Sequence, residues 1–422
     1  MVEKRHFLVL SAIMLIFIFL LVLVSDQGTL LSKRTFQTEV YMFEGGPNHV
    51  YQPSIYASSF NLSFPSAVIV TPTALVGSHT ILFTTSGTVS NGTLNMVCVG
   101  GVYAVNAENG KVVWNESFPN MVMTQPLVVN GIIVVGVGNN MFVNQSFRGT
   151  GVNEIVALNE QGHVIWVHKT RGESMPTPVF FEGDIVEATG GGYVCSLDLS
   201  TGHLVWASKI PSYVSMSSPL LVGEQLLFGG ANPYVFYDIN VTNGKVIWET
   251  QINATGGLDD SSPSFCNGIV ITGFTDLVSN NTLDYKEVGI NITNGQLVWC
   301  LNEGEGPTPS DLESPPATLY DGYAFVTSPG VPYLYAVNYS NGNVIWKVKT
   351  GEDIDNPAVS GNLLFVLNHT GFLYVINLQG KVINVVKTGV VPGPGEPLLT
   401  ENTIVIFGVN GVVKSIPLSK VI

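Results

Sequence analysis

The 422-residue sequence predicts an all-β, eight-bladed β-propeller carried behind one membrane-crossing N-terminal helix. Three observations predict it: an unbroken apolar run near the N-terminus, a segment ending in tryptophan that recurs along the remaining chain, and a column of prolines that counts the units independently. Composition agrees. Charged residues are only 11% of the chain against about 25% in an ordinary soluble protein, while 45 Gly and 23 Pro argue against a helix-rich enzyme. With 45% apolar and 10% aromatic residues the chain can bury a large core, which excludes disorder. A net charge of −14 with no basic stripe excludes nucleic acid as a partner.

Residues 7–24, FLVLSAIMLIFIFLLVLV, follow Lys4, Arg5 and His6. At 1.5 Å per residue a helix over this run is about 27 Å long, enough to cross a hydrocarbon core with its basic flank held in the cytoplasm. The competing reading is a secretory signal peptide, but the run is longer than a usual h-region and Leu23-Val24-Ser25 is a poor cleavage site. The expected organisation is therefore a cytoplasmic stub at 1–6, a signal anchor at 7–24, a linker at 25–59 holding a ring-closing strand, and a propeller at 60–422 displayed outside the cell membrane.

Ten Asn-x-Ser/Thr sequons lie beyond the anchor, as an external glycoprotein requires. Asn115, Asn240, Asn291 and Asn338 lie inside the repeat, and at the last three an amide bonded into its own turn is a poor glycan acceptor. Asn61, Asn91, Asn144, Asn253, Asn280 and Asn368 are the better candidates. The four cysteines, Cys98, Cys195, Cys266 and Cys300, permit disulfides in three connectivities and form no C-x-x-C pair.

Every Trp occupies one recurring slot: ENGKVVW ends at Trp114, EQGHVIW at Trp166, STGHLVW at Trp206, TNGKVIW at Trp248, TNGQLVW at Trp299 and SNGNVIW at Trp346. LQGKVIN keeps the frame with Asn384 in the Trp position. These spacings suit a unit of four strands. Within a unit the apolar period is two, and turns such as Asp321-Gly322 and Asn341-Gly342 are strong hairpin signals when both positions take positive φ. Asn106, Asn159, Asp198, Asn240, Asn291, Asn338 and Asn377 precede the repeat glycine where an Asx side chain bonds its own turn.

Proline recurs where each first strand begins: Pro65, Pro126, Pro178, Pro219, Pro263, Pro316, Pro357 and Pro397. Eight blades follow, with seven as the alternative. The eighth unit supplies only three strands before the chain ends, and TFQTEVYMFE at 35–44 is expected to supply the fourth and remove the free edges.

The Tyr-Ala-Val-Asn or Ala-Leu-Asn strand end followed by x-x-(Thr/Asn)-Gly-(Lys/His)-(Val/Leu)-(Ile/Val)-Trp resembles the repeat of PQQ-like β-propellers over about residues 60–415. That family includes both quinoprotein dehydrogenases and non-enzymatic BamB-like assembly lipoproteins, so the resemblance implies the fold, with Trp and Gly locking adjacent blades, and leaves the function open. Its enzymes hold the quinone against a vicinal Cys-Cys disulfide, and no two cysteines here are adjacent.

No catalytic or cofactor-binding constellation is readable. The seven His show no H-x-H or H-E-x-x-H spacing, and no G-x-S-x-G elbow or P-loop is present. What departs from chance is acid: the connections between units carry Glu173, Asp259, Asp260, Glu303, Glu305, Asp311, Glu313, Glu352, Asp353, Asp355 and Glu396. Ordinary solvated turns are the bland reading. The functional one is a negative funnel at the channel mouth, in which Asp259, Asp260, Asp311, Glu313, Asp355 and Glu396 hold Ca²⁺ or draw in a basic peptide. The expected function is a membrane-anchored, non-enzymatic binding or scaffolding module for other envelope proteins. A quinoprotein-type or other propeller enzyme and a structural envelope component are the alternatives. A surface with so few ion pairs is also expected to tolerate acid.

Overall fold

The computed structural model describes residues 40–422 apart from 91–92, 139–150, 309–313 and 353–354. The anchor at 7–24, Asn91, Asn144, Asp311, Glu313 and Asp353 lie outside the described residues. Among those described, no helix is long and apolar enough to cross a membrane.

Eight four-stranded antiparallel sheets follow one another around the ring, and eight blades replace the alternative of seven. The first runs Thr73–Leu75, Thr80–Ser90, Thr93–Asn106 and Val112–Phe118; the second Leu127–Val129, Ile132–Val137, Glu154–Asn159 and Val164–Lys169. The others repeat this order, innermost strand first. Alternation within the inner strands leaves both sheet faces apolar, so the core is divided. Eight apolar clusters each lie at one interface between neighbouring blades, and a ninth lies on the channel.

The Trp slot locks each blade to the next. Trp114 Nε1 donates to the Glu160 carbonyl at 2.9 Å, Trp166 to Leu199 at 2.8 Å, Trp248 to Ile292 at 2.8 Å, Trp299 to Tyr339 at 2.9 Å and Trp346 to Leu378 at 2.9 Å. The ring covers the next blade's repeat glycine: a Cβ on Gly162 would stand 2.5 Å from Trp114 Cε3, and the ring of Trp206 faces Gly244 in the same way. Where Asn384 replaces Trp, its Nδ2 donates to the Val421 carbonyl at 3.1 Å, which keeps the hydrogen bond and drops the ring.

Three expectations are corrected. The strand that completes the eighth blade is Phe60–Ser63, paired with Val412–Pro417, and not 35–44. Phe60 then takes the Trp role, since a Cβ on Gly110 would lie 2.7 Å from its Cβ. Because Phe60–Ser63 belongs to the eighth blade, Pro65 falls in the connection and Pro72 precedes the first strand of the first blade, Thr73–Leu75. The Asn341-Gly342 turn has positive φ only at Gly342, because it is an Asx loop: Asn338 Oδ1 accepts from the Ser340 N–H at 2.9 Å, and the ladder shifts register at Ala336/Val337. Asp321-Gly322 has positive φ at both positions.

The expected Asx turns form at the other repeat positions, for example Asn106 Oδ1 with the Asn109 N–H at 3.1 Å and Asp198 with Thr201 at 2.8 Å. Of the better glycan candidates, Asn61, Asn253 and Asn280 are exposed. Asn368 is corrected: it is buried, its Nδ2 donates to the Thr350 carbonyl at 2.7 Å and its Oδ1 accepts from Phe372 N–H, so no glycan reaches it.

Residues 40–58, which include the end of the expected closing strand, instead cross the channel and bind the free edges of inner strands. Val40 bridges Val128 in the second blade, the Tyr41 carbonyl accepts from Phe180 in the third, Pro47 from Phe265 in the fifth and Asn48 from Leu319 in the sixth. An inner strand has an unpaired edge, and this segment satisfies it from blade to blade.

Candidate functional site

The residue before each first-strand proline is held extended by the ring that follows it, and eight such positions meet around the channel. In blade order they are Thr71, Gln125, Thr177, Ser218, Ser262, Pro315, Asn356 and Glu396. Hydroxyls stitch one side: Gln125 N–H donates to Thr177 Oγ1 at 3.0 Å, Thr177 N–H to Ser218 Oγ at 2.9 Å and Ser218 N–H to Ser262 Oγ at 3.0 Å.

The other side closes on Glu44, a fully buried residue of the crossing segment with a left-handed φ of 48°. Its Oε1 accepts from Thr71 Oγ1 at 3.2 Å and from Glu396 N–H at 3.4 Å, and its Oε2 from Asn356 Nδ2 at 2.8 Å. Its own N–H donates to Gln125 Oε1 at 2.6 Å, and His49 Nδ1 lies 3.3 Å from Oε2. One residue, through its carboxyl group and its backbone N–H, thereby ties together the first, second, seventh and eighth blades. A non-glycine residue in this conformation persists where surrounding contacts over-determine it.

Beside this network a cavity of about 40 Å³ is lined by Phe43, by Met123, Met175 and Met216, and by Ser218, Ser262, Ser314, Asn356 and Asp260. Ser218 and Ser262 each accept from a backbone N–H, so each retains its own proton for a group in the cavity. Thioethers are polarizable and fit irregular, soft surfaces.

The reading of the connections between units as solvated turns is corrected. Glu173, Asp259, Glu303, Asp355 and Glu396 are buried. Asp259 acts through its backbone: its carbonyl accepts from the N–H groups of Met216 at 2.9 Å and Ser217 at 2.8 Å. The Asp355 carbonyl accepts from Thr327 Oγ1 at 2.8 Å. Of the four expected calcium ligands among the described residues, Asp260 lines the cavity and Glu396 lies beside Glu44; Asp311 and Glu313 fall outside the described residues. Among the described residues no three His, Cys, Asp or Glu side chains gather to hold a metal ion.

Buried carboxyls instead share a shifted titration. Burial pushes Glu187 up to about 8 against a lowering hydrogen bond from Ser174, and pushes Glu303 up to about 8. Burial raises Glu287 well above the usual carboxylate range, with Glu303 adding to it, and raises Glu396 likewise with the charge of Glu44 behind it. Asp238 is raised to about 6 by burial. In acid these groups are neutral. Sequence reasoning had singled out Asp260 and Glu396. It missed Glu44, the methionines and the hydroxyl ring, although the residue immediately before each proline was a usable signal.

A comparison with protein families matches the family described as outer membrane protein assembly factor BamB at residues 23–145, 100–272, 151–316 and 284–413. Among curated proteins, the chain is similar to the tetrathionate hydrolase of Acidithiobacillus ferrooxidans, with 26% identity over 347 residues covering 76% of this chain and 69% of that protein. It is also similar to the tetrathionate hydrolase of Acidianus ambivalens, at 27% identity over 66% of this chain and 67% of the relative. Among solved structures, BamB from Moraxella catarrhalis superposes with a TM-score of 0.59 at 16% identity, covering 85% of this chain and 98% of that one. The family matches together span residues 23–413, and the chain belongs to the BamB family of PQQ-like repeat propellers.

Proposed function

We propose that this propeller hydrolyses a polythionate in an acidic exterior, at the cavity on its channel. The observation that carries the reading is the mixture of chemistries in that cavity: Met123, Met175 and Met216 line it together with Ser218, Ser262 and Asp260. A polythionate is a soft sulfur chain with an oxyanion at each end, and this lining offers a polarizable wall for the chain and O–H donors for the ends. Hydrolysis bonds a water oxygen to one sulfur, breaks an S–S bond whose electron pair leaves with the other fragment, and releases the water protons. In this reading Asp260, which lines the cavity, accepts one of them. Similarity to two tetrathionate hydrolases supports the choice of substrate. The test is turnover of tetrathionate by the full-length chain purified in detergent between pH 2 and 5. Asp260→Asn is expected to lower kcat at least about 100-fold with an unchanged melting temperature. A variant as active as the wild type removes Asp260 from the reaction.

The second reading is the membrane-anchored binding or scaffolding module, with other envelope proteins as partners. It is favoured by exposed apolar pairs on the outermost strands of seven blades, such as Val112-Val113, Leu204-Val205 and Ile345 beside Val344, and by membership of the BamB family. Cross-linking of the native membrane protein separates the two readings, since a scaffold yields a reproducible envelope partner.

A further inference from the structure

We propose that a groove between the second and third blades binds a tetrahedral oxyanion, either free sulfate or the sulfonate end of a longer sulfur anion. The site stands apart from the channel cavity and does not depend on it. The groove has a volume of about 150 Å³ and is lined by His168, Lys169 and Arg171 from the end of the second blade and by Thr189 and Tyr193 from the third. Three basic side chains within four residues are exceptional in a chain with 17 Lys and Arg against 31 Asp and Glu. Arg171 is the one arginine among the described residues.

The groove is built as well as charged. Arg171 Nη1 donates to Tyr193 Oη at 2.7 Å and its guanidinium carbon lies 4.8 Å from the centre of the Tyr193 ring, so the fork is fixed before a ligand arrives. One of its five N–H groups is used by Tyr193, and the others remain for oxygens arranged in a plane. His168 Nδ1 is 3.1 Å from the Gly202 carbonyl, which orients that ring too. Glu154 stands opposite Lys169 in the ladder, yet among the described residues neither Lys169 nor Arg171 has a carboxylate within ion-pair distance. Cations that protein carboxylates leave unpaired, on a preorganised scaffold, are the features by which charge-assisted hydrogen bonds recognise sulfate and sulfonate.

Isothermal titration of the full-length chain with sodium sulfate, at ionic strength held constant with chloride, tests the proposal. One site per chain is expected, with affinity falling at least tenfold in Arg171→Gln and in Lys169→Gln, and unchanged in Asp260→Asn. Both side chains are exposed, and circular dichroism establishes that each variant is folded. A second titration with tetrathionate identifies the source: competition with sulfate assigns a sulfonate end, and its absence assigns the free inorganic anion. Equal sulfate affinity in the wild type and both variants, or no heat once ionic strength is fixed, overturns the site.

Discussion

Acid should stabilise this protein, and Glu187 shows why. The residue has no solvent exposure on the strand Asp184–Thr189, with Ser174 Oγ donating to its Oε1 and Cys195 opposite it in the ladder. Burial raises its pKa to about 8 from the ordinary 4.5. The folded chain therefore holds this proton between about pH 4.5 and pH 8 while the unfolded chain releases it. Stability from this group is complete below the unfolded pKa and is lost as pH rises toward the folded one. A shift of this size corresponds to roughly 5 kcal/mol by pH 8, at about 1.4 kcal/mol per unit. Glu303 adds a loss of the same sign and window, and Glu287 and Glu396 share its direction. Glu187→Gln keeps the side-chain volume and an acceptor for Ser174 while abolishing the titration. Guanidinium unfolding followed by Trp fluorescence at pH 4, 5, 6 and 7 should show the wild type gaining stability toward pH 4. The variant should be more stable than the wild type by several kcal/mol at pH 7, and within about 1 kcal/mol of it at pH 4. Parallel curves for the two proteins, or a wild type that weakens on acidification to pH 4, would refute the reasoning.

Trp248→Ala removes an indole that bridges two blades, and its expected cost is about 3–5 kcal/mol in unfolding free energy; a midpoint that barely moves counts against the lock. A chain beginning at residue 40 retains the crossing segment and Phe60–Ser63 and should stay closed and monomeric by light scattering, whereas one beginning at residue 66 exposes the Val412–Pro417 edge and should aggregate. Equal behaviour of the two would reject closure by Phe60–Ser63.

Blade number and the interblade locks were legible because each unit repeats one local solution. Trp, the glycine under the neighbouring ring and the Asx turn recur at fixed offsets, and local patterns of this kind survive translation into sequence. Ring closure was not legible, since Phe60–Ser63 carries Phe in place of Trp and pairs with a strand at the opposite end of the chain. The crossing segment was misread for a related reason. Val40, Tyr41, Pro47 and Asn48 bind inner strands mostly through backbone groups, which leave no side-chain signature. The acids of the connections were found but their environment was not, because Asp355 and Glu396 look in sequence like any loop carboxyl and only the eightfold convergence buries them. Pro72 in place of Pro65 is a one-strand error with the same origin, a blade shared between the two ends of the chain.

The most direct test of the channel as the site of chemistry is a crystal structure of Asp260→Asn grown with tetrathionate at pH 4. The account predicts a sulfur chain lying over Phe43 against Met123, Met175 and Met216, with oxyanion oxygens within hydrogen-bond distance of Ser218 or Ser262. A channel empty of ligand in a crystal whose outer groove at Arg171 and Lys169 is occupied would contradict it.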